Sequence, residues 1–357
     1  MLAVNSEGKH HFATLDGLRG IAALSVVILH WFEGLGYGAF GASWLAVDFF
    51  FMLSGFVVAY SYEERLKKGL AFGQFMILRI IRLHPMIILG AFFGLIRFQV
   101  KSYINSGAIN SEYFISFITT ILMIPETNVL SLFEQNKQEH FWLNAPLWSL
   151  FFEFFAYILF GLILYKLSKT TLSLIATVSF IVIYYWIKGS FGSRDILEDE
   201  LVIHGYARVL FSFCIGIILY RLNSSLNYIG KKIPLHFLIL LPIFFALPRN
   251  VMPWYFYLLG MLIIFPMSIA VGVQTILNGK IAKVSDILGG ISYPIYAIHV
   301  PLLWGMSFAI KKLGFESPEQ LVWFGLLTIP ITIAISYISL KIYDEPMRRW
   351  LKKKLAS

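Results

Sequence analysis

The stretch Glu112-Tyr-Phe-Ile-Ser-Phe-Ile-Thr-Thr-Ile-Leu-Met-Ile-Pro125 decides how this chain is threaded. It is one of eleven apolar runs in 357 residues, the others falling at about 17–35, 43–62, 85–99, 145–166, 171–188, 204–222, 234–248, 253–275, 287–311 and 319–342. A helix needs roughly 20 apolar residues to cross ~30 Å of hydrocarbon. The 112–125 run offers about fourteen, includes Ser and Thr, and leads into a polar stretch with Glu126, Glu134 and Glu139. Lys and Arg concentrate in cytoplasmic loops. Three segments meet that description: 65–82 (Arg65, Lys67, Lys68, Arg79, Arg82), 221–232, and the tail with Arg348, Arg349, Lys352, Lys353 and Lys354. With all three inside, the forward and backward counts agree only if one run between 85 and 166 fails to cross. The 112–125 run is the weakest and reads as a re-entrant or interfacial piece. The expectation is an all-α polytopic membrane bundle of about ten transmembrane helices with both termini cytoplasmic. It forms a single domain over 1–357, with a short N-terminal segment of about 1–14 and a basic tail of about 343–357.

Composition agrees. The chain is 58% hydrophobic, 17% aromatic and only 14% charged, so the bilayer is its solvent and a separate soluble domain has no room. The net charge of +9 sits between apolar runs. It does not form the basic face of a soluble module, which argues against nucleic-acid binding. Cys214 is the only cysteine, which excludes an internal disulfide and speaks against a thiol nucleophile. No metal-ligand spacing stands out. The first run carries Arg19 and His30 and lacks a small-residue cleavage pattern, so a cleavable signal peptide is not expected. The acidic segment with Asp195, Glu198, Asp199 and Glu200 falls outside the membrane, as does much of 100–144.

Ionisable residues inside spans are costly and mark a functional site by default. Those noted are Arg19, His30, Asp48, Glu153 and His299. Arg19 and His30 are eleven positions apart, which at ~100° per residue sets them within about 20° of one helix face and about 16 Å apart along it. They are expected to look into one shared cavity. His30, Asp48 and Glu153 each lie a few residues from the outer end of their runs. A carboxylate at that depth can fix a histidine tautomer, as a general base requires. The plainer alternatives are a topology anchor for Arg19, a helix-packing histidine for His30 and helix-pairing acids for the other two. On the cytoplasmic side, Arg79 and Arg82 share a face at i and i+3 of an interfacial helix, suited to phosphate oxygens or to lipid headgroups.

These residues fall in ordered motifs. Leu15-Asp-Gly-Leu-Arg19-Gly-Ile-Ala-Ala with His30 beyond it, then Val47-Asp48-Phe-Phe-Phe-Met-Leu-Ser54-Gly55-Phe56, resembles the opening of the membrane acyltransferase-3 family of bacterial surface-glycan O-acyltransferases. The 75–85 segment with Arg79 and Arg82 resembles that family's arginine pair before the third helix. Trp148-Ser149-Leu-Phe-Phe-Glu153 resembles its tryptophan, serine and glutamate motif. Ile291-Ser292-Tyr293-Pro-Ile-Tyr296-Ala-Ile-His299-Val-Pro301 resembles its serine, tyrosine and histidine signature. His84 departs from the Tyr or Trp often found there, and no appended hydrolase-like domain is present.

The resemblance implies a multi-pass protein of a bacterial inner membrane. It implies a cytoplasmic acyl-CoA donor, usually acetyl-CoA, used as a substrate and not as a resident cofactor, and a carbohydrate acceptor outside. It further implies that Arg19 and His30 are essential, that Arg79 and Arg82 handle the coenzyme, and that Glu153 belongs to the site. A partner protein could complete the transfer. The resulting expectation makes His30, Glu153 and Asp48 catalytic, Arg19, Arg79 and Arg82 donor-binding, and Ser54, Trp148, Ser149, Ser292, Tyr293 and His299 supporting. The rival from another class is a proton-coupled transporter or flippase with His30, Asp48 and Glu153 as a relay.

Overall fold

In hydrocarbon the backbone must satisfy its own polar groups, and these apolar runs do so as helices. A computed structural model describes residues 11–33, 39–125, 141–190, 203–222, 233–248 and 252–355, and every regular element among them is helical. The acidic segment with Asp195 and Glu200, and Glu126, Glu134 and Glu139, lie outside the described residues. In order the helices are α1 (Ala13–Glu33), α2 (Ala46–Lys67), α3 (Phe72–Ser106), α4 (Glu112–Ile121), α5 (Leu147–Leu162) and α6 (Lys169–Ser190). There follow α7 (Ile203–Arg221), α8 (Leu235–Ala246), α9 (Trp254–Gln274), α10 (Gly279–Lys312) and α11 (Pro318–Ser339). A π turn (Leu340–Asp344) then leads into α12 (Glu345–Leu355).

Eight of these segments are long and apolar enough to cross a membrane: α1, α2, α3, α6, α7, α9, α10, and α11 with its extension. The apolar helices α5 and α8 are shorter than a full span, so eight candidate spans stand among the described residues against the ten expected passes. α5 runs toward the carbonyls of Leu164, Tyr165 and Leu167, which Arg221 at the end of α7 gathers. α8 ends at the opposite face, where Ser43 Oγ donates to Phe245 O at 2.9 Å. α4 does not cross. It has 10 residues, buries only Ser116 and Thr120, and at ~1.5 Å per residue reaches about half the hydrocarbon thickness. It folds back on α3, where Gln99 Nε2 donates to Asn110 O at 2.8 Å and Asn110 N to Gln99 Oε1 at 3.0 Å.

One expectation needs correction. The 75–85 segment is not a separate interfacial helix, because Pro85 is buried inside the single 35-residue helix α3. A proline there removes one i−4 hydrogen bond, and packing against α5, α10 and α12 keeps the helix continuous. The basic tail is helical to Leu355: α12 continues α11 through the π turn and lies on α3.

Close approach between helices is built from small residues, as in other membrane bundles. A Cβ added to Gly20 would stand 2.5 Å from Leu288 Cβ, and one on Gly289 would strike the Asp16 side chain, so glycines let α1 lie directly on α10. Gly55 and Gly216 do the same for α2 and α7, each facing a carbonyl of the other helix (Phe213 O and Met52 O). Burial then sorts the bundle. The window over α2 is 78% buried, against 28% for α6 and for α11 with its extension, so α2 is central and the other two face lipid. The carboxyl ends of α2 and α7, the start of α3, and α12 share one basic end.

Candidate active site

α10 is the spine of the site, and its prolines shape it. Pro301 has no N–H for the carbonyl of Ala297, four residues earlier. Asn144 Nδ2 takes that acceptor at 2.7 Å, tying the 141–146 turn to α10. Asn144 thereby positions the start of α5, which brings Ser149 and Glu153 toward α10. Ser149 Oγ donates to Pro146 O at 3.0 Å, so the 2.5 Å contact with Tyr296 has the tyrosine hydroxyl donating to Ser149.

The glycines of α1 set Arg19 against the same helix. Its Nε donates to Ser292 Oγ at 2.8 Å and its Nη2 to Gly289 O at 2.7 Å, with Asp16 Oδ1 2.9 Å away. His11 Nε2 lies 2.7 Å from the other oxygen of Asp16. Arg19 is therefore held by protein groups.

Between α1, α2, α3, α5 and α10 lies a cavity of about 810 Å³, including its open mouth. Arg19, Arg79, Arg82, Glu153, Ser54, Ser149, Ser292 and Tyr293 line it, together with Tyr157 and Tyr296. Val47, Phe50, Phe51, Leu53, Val57, Val58, Leu83 and Leu150 form its apolar wall. Glu153 Oε1 accepts from Ser54 Oγ at 2.6 Å and from Tyr157 Oη. Arg79 Nη2 donates to Tyr62 Oη at 2.5 Å, while its buried Nε has no hydrogen-bond partner. Arg82 lies over the Tyr293 ring, 5.1 Å from its centroid. The two arginines thus turn into the bundle.

His30 and His299 do not line this cavity. They form a pair beyond Tyr296, whose ring sits 5.8 Å from His299 and 5.5 Å from Phe50. Carbonyls only accept, so the partners assign the protons. His299 Nδ1 faces Ile295 O at 3.1 Å and Tyr296 O at 2.9 Å and so carries a hydrogen. In the neutral ring His299 Nε2 is then an acceptor, 3.1 Å from His30 Nδ1. His30 Nδ1 must donate, to His299 and to Val26 O at 3.0 Å, which leaves His30 Nε2 with a free lone pair.

His30, Asp48 and Glu153 do not pair with one another: His30 meets His299. Glu153 belongs with Arg19 and Arg79 in the cavity. Asp48 is fully buried and closes on Arg208, Nε to Oδ1 at 3.2 Å and Nη2 to Oδ2 at 2.7 Å. Burial of an ion pair demands such matched geometry. Arg208 is flanked by Trp44 and Trp148, 4.7 and 5.3 Å from the ring centroids, so Trp148 sits with that pair and does not line the cavity. Nor do Arg19 and His30 open into one cavity; what they share is α10, two helical turns apart at Ser292 and His299.

Among the residues sequence reasoning missed, Arg208 was legible as a charge inside the 204–222 run. Tyr296 stood inside the 291–301 motif without a role, and Tyr157 carried no signal, being one of the chain's 18 tyrosines.

The chain matches the model of an acyltransferase domain over residues 12–341. It is 33% identical over 156 residues, 40% of this chain and 76% of the other, to "Protein 2 in picA locus" of Rhizobium radiobacter. No solved structure matches it. The motifs that meet on α10, the multi-pass helical bundle and a match running almost from end to end agree: the chain belongs to the acyltransferase-3 family and is a membrane acyltransferase.

Proposed function

We propose that the protein moves an acyl group, acetyl in the first instance, from acyl-CoA at the basic, cytoplasmic end to a hydroxyl of an extracytoplasmic carbohydrate, in the inner membrane of a bacterium. The observation that carries this reading is the pairing of a neutral His299 with His30, which leaves His30 Nε2 unprotonated at the far end of a site whose near end holds arginines.

The nucleotide phosphates dock on Arg79 and Arg82, and the buried Nε of Arg79 has no hydrogen-bond partner among the described residues. The pantetheine arm lies along the apolar wall and the thioester passes Tyr296 toward the histidine pair. Arg19 and Glu153 hold the polar side of the cavity, Arg19 through Ser292 and Glu153 through Ser54 and Tyr157. His30 Nε2 removes the proton of the acceptor hydroxyl as its oxygen attacks the thioester carbonyl. The C–S bond breaks, and the imidazolium returns that proton to the departing thiolate, giving free CoA and the ester. His299 takes the orienting part that the sequence assigned to Asp48 or Glu153. Asp48 serves the site from outside it, by fixing Arg208 and with it Trp148.

The relay reading has less support, because Asp48 is matched with Arg208 and Glu153 with Ser54 and Tyr157, and neither contacts His30. The test is mass analysis of surface glycans from cells with the wild-type protein, with His30→Ala at equal membrane abundance, and with neither. A mass increment that requires His30 supports the reading. An increment that persists in His30→Ala refutes it.

A further inference from the structure

The basic end holds a charged cluster that the mechanism above leaves unused. The π turn Leu340–Asp344 adds a residue between α11 and α12, as such bulges do at functional sites. Tyr343 is thereby packed against the buried cluster of Met86 from α3 and Ala297 and Ile298 from α10, as Tyr293 is, and Asp344 becomes wholly buried. One turn on, Arg348 Nη2 lies 2.7 Å from Asp344 Oδ2. Because α12 lies on α3, Arg82 acts electrostatically on both Asp344 and Arg348. Arg82 and its ring partner Tyr293 line the donor cavity.

Arg82 and Arg348 act on Asp344 here, and the neighbouring Glu345 is taken up by Lys341 at 2.5 Å, so the cluster keeps a positive charge. A purely structural pair closes bidentately, as Arg208 and Asp48 do. The Asp344 pair meets through one contact only, Nη2 to Oδ2. Asp344 Oδ1 and the buried Nε of Arg348 have no hydrogen-bond partner among the described residues, as the Nε of Arg79 has none. Open guanidinium donors beside excess positive charge suit a ligand with several anionic oxygens.

We propose that Arg348, anchored by Asp344, is a third phosphate-binding arginine that acts with Arg79 and Arg82 on the nucleotide phosphates of the acyl donor. This rests on the acyl-CoA reading above. A phosphate is the shared chemistry of that nucleotide and of an anionic lipid headgroup, so the experiment separates them. Full-length protein in nanodiscs, with and without phosphatidylglycerol, is titrated calorimetrically with CoA and its melting temperature is followed. Arg348→Gln is expected to weaken CoA binding about tenfold, with Arg348→Lys intermediate because the charge remains and the fork is lost. In turnover the loss should fall on the KM for acetyl-CoA and not on kcat. Binding within about twofold of wild type overturns the proposal. If Arg348→Gln in that case also loses a stabilisation by phosphatidylglycerol, the headgroup is the ligand. Wild type that binds no CoA defeats the donor reading and this proposal together. CoA binding weakened by Arg82→Gln but not by Arg348→Gln defeats this proposal alone. Should Arg348→Gln fail to fold, Arg348→Lys and Asp344→Asn carry the same comparison, each expected to weaken CoA binding.

Discussion

The proposed chemistry rests on a single nitrogen. His30 Nε2 is free because His299 is pinned by two helix carbonyls, so the basicity of one ring is set by the backbone around another. Replacing His299 by Ala removes that acceptor and lets His30 take either tautomer. Transfer of label from acetyl-CoA should then fall by about a hundredfold in kcat, the scale of a misplaced general base, with donor KM little changed. Asp48 is expected to behave otherwise. Asp48→Ala removes the carboxylate that matches the buried charge of Arg208, and a loss of about 3–5 kcal/mol in unfolding experiments should follow. The double variant Asp48→Leu with Arg208→Met should recover most of that stability. A double variant as unstable as the single one would mean that the pair does more than fill a buried site. Asp48 and Glu153 were legible as membrane carboxylates, but depth counted from helix ends could not say which neighbour each would meet.

Among the elements, α4 separates length from apolarity. Its ten residues are apolar enough for hydrocarbon and too few to cross it. In a Cys214→Ala background, single cysteines at Asn110 and Ile124 should both react with an impermeant thiol reagent from the same side of the membrane. Reaction from opposite sides would make α4 a span and reverse every later helix. The α2–α7 contact makes a second prediction. Any Cβ at Gly216 meets Met52 O, so Gly216→Ala should cost about 1–3 kcal/mol, read as a lower melting temperature in nanodiscs. The position of α4 was legible because charge on either side limits the count. The glycine contacts were not, since a glycine in an apolar run does not name the helix it faces.

At the scale of the molecule, the basic ends of α2, α3, α7 and α12 converge on one face and the histidine pair lies toward the other. A reporter fused after α12 should therefore be protease-sensitive only from the cytoplasmic side, and sensitivity from outside would invert the assignment of donor and acceptor faces. Local properties of the chain alone determined the bilayer as solvent, the multi-pass helical bundle, the family motifs and most of the polar residues that meet in the cavity. Run length, charge bias and residue type do not depend on which helix touches which. The tertiary structure decided the pairings. It alone matched Asp48 to Arg208, His30 to His299 and α12 to α3, because each joins segments far apart in sequence. Helix rotation, small-residue contacts and one inserted residue at a π turn choose those partners, and none of the three can be read from a single run.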